Sequence, residues 1–339
     1  MEQERQKTAF VSGSTGFLGR NLIEQLTAGG WAVTALHRPS SDVAALKRLA
    51  VQLTVGDVCD AASLRQAMPE HPDAVFHVAA DTSMWSGHNE RQTRTNVDGT
   101  RNMVTVALEK GCRRFVHTST WNTYGLEQGV ISEASPQLGA DSWINYDRTK
   151  YLAEQAIRAG IEQGLAAVIL NPAHIIGRYD RHNWSRFVVL VAENRIPAVP
   201  PGSGCFCHGE EVAKAHIAAA ERGRTGENYL LGGPEASFSE LARIIGELTG
   251  RTVPTRTLPA ILLRSAARAA TAVAAVSGKE PTTTPEGVAV ALAHTRIVSH
   301  KAQDELGYRH APLRVMLKDC LEWLESEGLI GASSAPTGG

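Results

Sequence analysis

The 339-residue chain is short of cysteine, of net charge and of long unbroken apolar runs, and each shortage closes off a class of protein. Its five cysteines, Cys59, Cys112, Cys205, Cys207 and Cys320, are odd in number and scattered, which argues against the disulfide framework of a small secreted domain. Cys205-Phe206-Cys207 has no second Cys/His pair at zinc spacing, so no metal site is expected, and all five read as reduced thiols of a cytoplasmic protein. A formal net charge of −1 offers no field for nucleic acid, a membrane surface or acidic partners. Residues 1–7 are polar and charged without an apolar core, so no secretory signal is expected. The longest apolar stretch, Leu258 to Val276, opens with Pro259 and is interrupted by Arg264 and Arg268. Two arginines are costly in hydrocarbon, and the expectation is a helix packed on the protein with its arginines on the wet face. No internal repeat is found. What remains, 43% hydrophobic and 20% charged, is the composition of an ordinary globular chain, long enough for one large domain or a domain with a smaller lobe.

The most informative stretch is Gly13-Ser14-Thr15-Gly16-Phe17-Leu18-Gly19. Thr8 to Val11 before it reads as a buried parallel strand, and Asn21 to Leu26 after it as a helix closed by Gly29-Gly30. Between strand and helix, glycines permit a tight turn and a close backbone approach to a pyrophosphate, which the helix N-terminus then favours electrostatically. The run therefore reads as a dinucleotide site.

Trp31 to Leu36 reads as the second strand, ending in His37-Arg38 with no acidic residue before Asp42. A carboxylate at this point favours NAD and a cation admits a 2′-phosphate. Arg38, with Ser40 or Ser41, thus favours NADP over NAD, although a solvated loop arginine is the plain alternative. Val51 to Val55 is the third strand, leading into Gly56-Asp57-Val58. Asp57 could accept from an adenine amino group or cap the helix near Ala61. Val75 to Ala80 is the fourth strand, whose small end at Ala79 and Ala80 would let a cofactor lie on the backbone.

A helix is expected from Asn96 to Lys110, then a fifth strand Arg114 to His117, leading to Thr118-Ser119-Thr120 and Trp121-Asn122. Hydroxyls beyond a strand's carboxyl end lie where open α/β sheets bind ligands, though they often only satisfy local backbone. Tyr146 and Lys150 lie four apart at the start of a helix running to about Gln163. An ammonium near a phenol would lower the phenol's pKa towards a useful range. Ala166 to Pro172 is the sixth strand. Beyond it come polar-aromatic chain, a helix from Glu210 to about Glu221, a strand at Tyr229 to Leu231 and a helix from Ser239 to Thr249, with a plausible start at Ser237 to Glu240. The chain divides into a tail at 1–7, a nucleotide domain at 8–172, a substrate lobe interleaved with late sheet elements at 173–330, and a small-residue tail, expected disordered, at 331–339.

With these pieces the chain resembles the extended (atypical) short-chain dehydrogenase/reductase family, within the NAD-dependent epimerase/dehydratase superfamily. It most resembles the dihydroflavonol-4-reductase and 3β-hydroxysteroid dehydrogenase group. The resemblance runs from Thr8 to about Leu324. It rests on Gly13, Gly16 and Gly19, on Asp57, on Ala79-Ala80, on Asn96 to Asn102, on Thr120, on Tyr146 and Lys150, on Pro172 and on Lys301 to Tyr308. It implies an α/β fold: a Rossmann-type doubly wound parallel sheet with a smaller C-terminal substrate-binding lobe. The cofactor site it implies draws on Gly13, Thr15, Gly16, Phe17, Leu18, Gly19, Arg38, Asp57, Val58, Ala79, Ala80, Asn96, Thr118, Tyr146, Lys150 and Pro172. A homodimer through paired helices is also implied. The chain departs from the family pattern at His208-Gly209-Glu210-Glu211-Val212, and at His174, where relatives carry an apolar residue.

The chemistry implied is hydride transfer between nicotinamide and a carbonyl or alcohol carbon. Tyr146 would give or take the proton, Lys150 would stabilise the phenolate and grip the ribose, and Thr120 would hold the substrate oxygen. Met84, Trp85, Trp121, Asn122, His174, Tyr179, Trp184, Phe187 and Phe206 would form a wall suited to a flat or apolar ketone, although at least half of the aromatics are expected to be core. Two other readings stand beside this one. A nucleotide-sugar epimerase or dehydratase with tightly held NAD could use Arg178, Arg181, Arg186 and Arg195 for a diphosphate. A non-catalytic dinucleotide-binding regulator would have no need of the proton-handling trio.

Overall fold

The computed structural model describes residues 5–126 and 128–331, so most of the expected tail at 331–339 lies outside the described residues. In chain order the elements begin β1 Thr8–Ser12, α1 Phe17–Ala28, β2 Ala32–His37, β3 Val51–Val55, α2 Ala61–Ala67 and β4 Ala74–His77. There follow α3 Asn89–Thr93, a π-helical turn Arg94–Asp98, α4 Gly99–Glu109, β5 Phe115–Thr118, β6 Val130–Ile131 and α5 Asn145–Glu162. Next come β7 Ala167–Pro172, β8 His174–Ile176, α6 Trp184–Ala192, β9 Ser203–His208, α7 Gly209–Arg222, β10 Asn228–Leu231 and β11 Glu235–Ser237. The chain ends with α8 Phe238–Thr249, α9 Ala260–Ser277, α10 Pro285–Leu292, β12 Arg296–Ile297, α11 His300–Leu306 and α12 Leu313–Ser326.

Seven strands form one parallel sheet in the order β10-β7-β5-β4-β1-β2-β3. Strand order reverses between β1 and β4, and the crevice beyond their carboxyl ends is where such sheets bind ligands. Unbroken apolar strands explain the architecture, because a parallel sheet is covered on both faces. On one face α2, α4 and α5 bury Phe10, Val75, Phe115 and Ile169. On the other, α1 and α7 cover Val11, Phe76, Val116 and Leu170. A second core, built by α6, α8 and α12, carries Val188, Phe238, Leu241 and Leu317. β10 returns from this later chain to the edge of the main sheet beside β7.

Three sequence readings are corrected. The helix expected from Asn96 begins at Asn89, and the chain there passes through the π-helical turn before regular α4. The polar run Asn89-Glu90-Arg91-Gln92 hid its first turns, since it has no apolar stripe. The fourth strand stops at His77, and Ala79 and Ala80 lie in irregular chain because Gly13 packs against that backbone. The apolar stretch forms α9 with Arg264 and Arg268 exposed as expected, but the helix is packed along only a narrow stripe, through Ala267 and Ala274. Ile261, Leu262, Val273 and Val276 face outward. It is the one helix among the described residues long and apolar enough to cross a membrane by length and composition.

Candidate active site

Glycine chemistry shapes the nucleotide cradle. Gly13 sits at φ +70°, and a Cβ there would lie 2.6 Å from the Ala79 nitrogen. The turn closes through the Gly16 N–H donating to the Gly13 carbonyl at 3.0 Å. At Gly19 a Cβ would fall 2.1 Å from that same carbonyl oxygen, so helix and turn can meet only through glycine. Ser14 Oγ donates to the Leu36 carbonyl at 2.6 Å and ties the turn to the end of β2. No side chain caps α1, and its first turn holds no acid. Its leading N–H groups and the positive end of its dipole are left for an anion, as a pyrophosphate requires. Thr15 is half-buried at this turn and Leu18 is core, while the Phe17 ring packs on Gly209. Arg38 is exposed just past β2 and makes no ion pair among the described residues. These features fit a dinucleotide.

Other expected cofactor residues prove to have structural duties. Asp57 Oδ1 accepts from the Cys59 N–H at 2.8 Å, and the α2 cap is Asp60, not Asp57. Val58 is core against Gly99. The Asn96 amide is fully engaged: it accepts from the Asp81 N–H at 2.7 Å and donates to the Asp81 carbonyl and Thr149 Oγ1, each at 3.0 Å. Asn96 therefore pins the chain after Ala80 to α5. Thr118 turns its hydroxyl onto His216 Nε2 at 2.8 Å, on the α7 side of the sheet. Pro172 ends β7, paired with Leu231.

At the carboxyl end of β5 the structure gathers Thr120, Tyr146 and Lys150. Tyr146 lies in the first turn of α5 with its phenol against the Thr120 hydroxyl. Lys150, one turn further on and 2% exposed, donates through Nζ to the Thr118 carbonyl at 2.7 Å. The electrostatics overturn one expectation. The Tyr146 phenol is held above its ordinary value, first by burial and then by Asp147, with the Thr120 hydroxyl opposing. Lys150 is itself pushed down to about 8 by burial, against the pull of Glu154. Its ammonium donates to the Thr118 carbonyl, and the nearby Glu154 carboxylate raises it by charge alone.

Behind the trio lies a buried polar network that the sequence reading missed. Glu154, 0% exposed, accepts from Ser119 Oγ, Thr123 Oγ1 (3.3 Å), Asn171 Nδ2 (2.7 Å), Gln137 Nε2 (2.7 Å) and Asn228 Nδ2 (2.9 Å). Asn171 also donates to the Thr120 carbonyl at 3.0 Å, so the network carries the strand end. Its one local signal was Glu154 standing four residues beyond Lys150, on the same helical face. The carboxyl of Asp147, next to Tyr146, is likewise buried, and burial pushes it up to about 6.

The expected substrate wall is largely core. Trp121 and Phe206 are buried, and Asn122 spends its amide on Thr120 and Asp147. Tyr179, at φ +77°, lies on the other side, against α1: its hydroxyl donates to Glu24 Oε1 at 2.6 Å and Arg20 stacks on its ring. Trp184 stacks on Phe238 at 5.5 Å and Phe187 meets the same ring. Trp85 folds onto His88, and Met84 lies beside Gly287 of α10. His174, 9% exposed, is enclosed by Trp121, Trp184 and Phe206 and has no hydrogen bond among the described residues. Burial holds its imidazole neutral, with a pKa of about 4.

A doubly wound sheet, a glycine cradle at a free helix end, and a Thr–Tyr–Lys trio at the neighbouring strand end together define a dinucleotide-dependent oxidoreductase of the short-chain dehydrogenase/reductase class. The NAD dependent epimerase/dehydratase family model matches residues 9–232, and the chain belongs to that family. It is 31% identical to sterol demethylase protein B of Methylococcus capsulatus, over 95% of this chain and 100% of that one. It is 28% identical to 4-hydroxy-2-methyl-3-oxo-4-farnesyl-3,4-dihydroquinoline-1-oxide ketoreductase of Stigmatella aurantiaca, over 96% of this chain and 98% of that protein. Among solved structures, gox2253 is similar with a TM-score of 0.83 at 31% identity, covering 96% of this chain and 100% of that one.

Proposed function

We propose that this enzyme interconverts a ketone and an alcohol on an apolar small molecule, with NADP(H) as cofactor. The observation that carries the reading is the Tyr146 phenol set against the Thr120 hydroxyl, with Lys150 one turn along, beside the glycine cradle. The nicotinamide supplies or receives the hydride when bound. In the reductive direction Tyr146 gives its phenolic proton to the oxygen of the reduced carbonyl, and a phenol held above its ordinary value is protonated and ready to do so. Thr120 holds the phenol beside that oxygen, Lys150 secures the strand end through the Thr118 carbonyl, and the N–H groups opening α1 take the pyrophosphate.

NADP is favoured by the exposed Arg38, which makes no ion pair among the described residues, and by the lack of a carboxylate at the end of β2. An apolar substrate is favoured by the aromatic chain around His174 and by the names of the curated relatives, sterol demethylase protein B and a quinoline-oxide ketoreductase. The epimerase reading loses support because three of its four expected diphosphate cations are already matched: Arg178 by Glu24 and Glu210, Arg181 by Glu327, and Arg195 by Glu193.

The test is consumption of NADPH and of NADH with a panel of aromatic ketones, steroids, short aldehydes and nucleotide sugars, on protein first checked for retained cofactor. Turnover of apolar ketones by an enzyme that purifies empty is expected. Retained NAD with activity only on nucleotide sugars would overturn the reading.

A further inference from the structure

Asp147 follows Tyr146 on α5, is 1% exposed and carries a hydrogen-bonded chain that ends at the Thr120 hydroxyl. Its Oδ2 accepts from Ser142 Oγ at 2.9 Å and its Oδ1 from Asn122 Nδ2 at 3.0 Å. The other end of the Asn122 amide, Oδ1, accepts from Thr120 Oγ1 at 3.1 Å, and the Asn122 backbone N–H donates to that same hydroxyl oxygen at 3.3 Å. Direction along this chain is dictated by chemistry. An ionised carboxylate can only accept, so a buried Asn122 must turn its NH₂ towards Asp147. Its carbonyl oxygen is then the group that faces Thr120, and the single proton of Thr120 is committed to it.

We propose that Asp147 is a positioning residue: through Asn122 it fixes the direction of the Thr120 hydroxyl, turning that proton away from the Tyr146 phenol. With its proton on Asn122, Thr120 offers the phenol a lone pair, which accepts the phenolic hydrogen bond; the lowering that Thr120 exerts on Tyr146 is available only when that proton turns to the phenol. The arrangement keeps Tyr146 a phenol and biases the site towards giving a proton, the need of carbonyl reduction. Oxidation of an alcohol requires the Thr120 proton to swing from Asn122 to the phenolate.

The charged groups around this chain are few. Tyr146 feels Asp147 from its own helix, while the Lys150 ammonium is held by the Thr118 carbonyl. Asp147 feels Arg148, whose guanidinium donates to the Ser142 carbonyl and to Asn145 Oδ1, and its partners from the preceding loops, Asn122 and Ser142, are neutral. Burial leaves the Asp147 carboxyl titrating at about 6, so the chain holds its direction above that pH.

The inference rests on the reductase reading, and Asp147→Asn tests it with the shape of the site preserved. The introduced amide can donate to Asn122 Oδ1, whose Nδ2 then turns to Thr120, so the chain stays connected with its polarity reversed and the Thr120 proton freed for the phenol. The pH at which alcohol oxidation reaches half its maximum is expected to fall by about one unit, roughly tenfold in rate at a fixed pH below it. Asn122→Ala keeps the Asp147 charge but cuts the link, and is expected to move the profile in the same direction. A shift in Asp147→Asn with none in Asn122→Ala assigns the effect to charge alone and overturns the proposal, as do unmoved profiles in both. Ultraviolet difference titration of each variant against its Tyr146→Phe counterpart reads the same phenol without turnover. An inactive wild type with a phenol that moves in both variants overturns the reductase reading and supports the chain. An active wild type with a fixed phenol does the reverse.

Discussion

The Lys150 ammonium donates to the Thr118 carbonyl at 2.7 Å and leaves the Tyr146 phenol, one helical turn away, to the Thr120 hydroxyl. The lysine is thus tied to the end of β5, and the phenol faces a second hydroxyl. Tyr146→Phe removes the phenolic oxygen and nothing that binds the dinucleotide phosphates. Turnover should fall by about 10²–10⁴-fold, the usual worth of a positioned acid, with NADPH affinity held. Steady-state rates beside a fluorescence titration of NADPH decide it, and near-normal turnover would sink the assignment.

Arg38 is the test of cofactor choice. If it pairs with a 2′-phosphate, Arg38→Ala gives up a charge-assisted hydrogen bond worth about 1.5–3 kcal/mol, or roughly 10–100-fold in NADPH affinity. NADH affinity should hold. Equal losses for both cofactors would show that Arg38 is a solvated loop residue.

Gly19→Ala should abolish dinucleotide binding. The new Cβ would lie 2.1 Å from the Gly13 oxygen and 2.8 Å from its carbonyl carbon, both backbone atoms that cannot rotate aside. Turn and helix must separate, which takes the N–H groups away from the phosphates. Wild-type cofactor affinity in a folded variant would contradict this.

Glu154 joins the stability of the site to its charge. Glu154→Ala removes the acceptor shared by five donors, four of them buried, and should cost about 3–5 kcal/mol in urea unfolding, with Glu154→Gln milder. The glutamine variant should also lower the Lys150 pKa further, because the carboxylate is what raises it. An unchanged urea midpoint in the alanine variant would remove Glu154 from this role.

Acid should unfold the protein through its buried imidazoles. Burial depresses His77 to about 3, His174 and His216 to about 4, and His117 well below the ordinary value. Each binds protons less readily folded than unfolded, so its stabilisation is complete above about pH 6.5 and is lost as pH falls towards those values. Asp147 has the opposite sign: raised to about 6, it costs stability when ionised and relieves that cost as pH falls through 6. Four imidazoles outweigh one carboxyl, and urea midpoints should drop between about pH 7 and about pH 4.5. A flat profile would contradict the burial of these rings.

Short-range signals carried most of the fold. The glycine turn, the apolar strands and the Tyr146–Lys150 spacing are local, because a turn's φ angles, a strand's alternation and a helix's pitch are set by neighbours a few residues away. The same reasoning failed where residues have no periodic mark, as at Asn89, and where a side chain has two possible owners, as with Asp57 beside Asp60.

By itself, then, the sequence determined a doubly wound sheet, a phosphate-binding turn and a phenol with its lysine one helical turn on, since each depends on adjacent backbone geometry. Only the tertiary structure decided that Tyr179 packs against α1, that Trp121 and Phe206 are core, and that Asn122 hydrogen-bonds Asp147. Glu154 meets Asn228 across 74 positions of chain, and Asn122 meets Asp147 across 25. A polar side chain's task is set by whichever donor or acceptor burial brings within about 3 Å, and no local pattern records that partner.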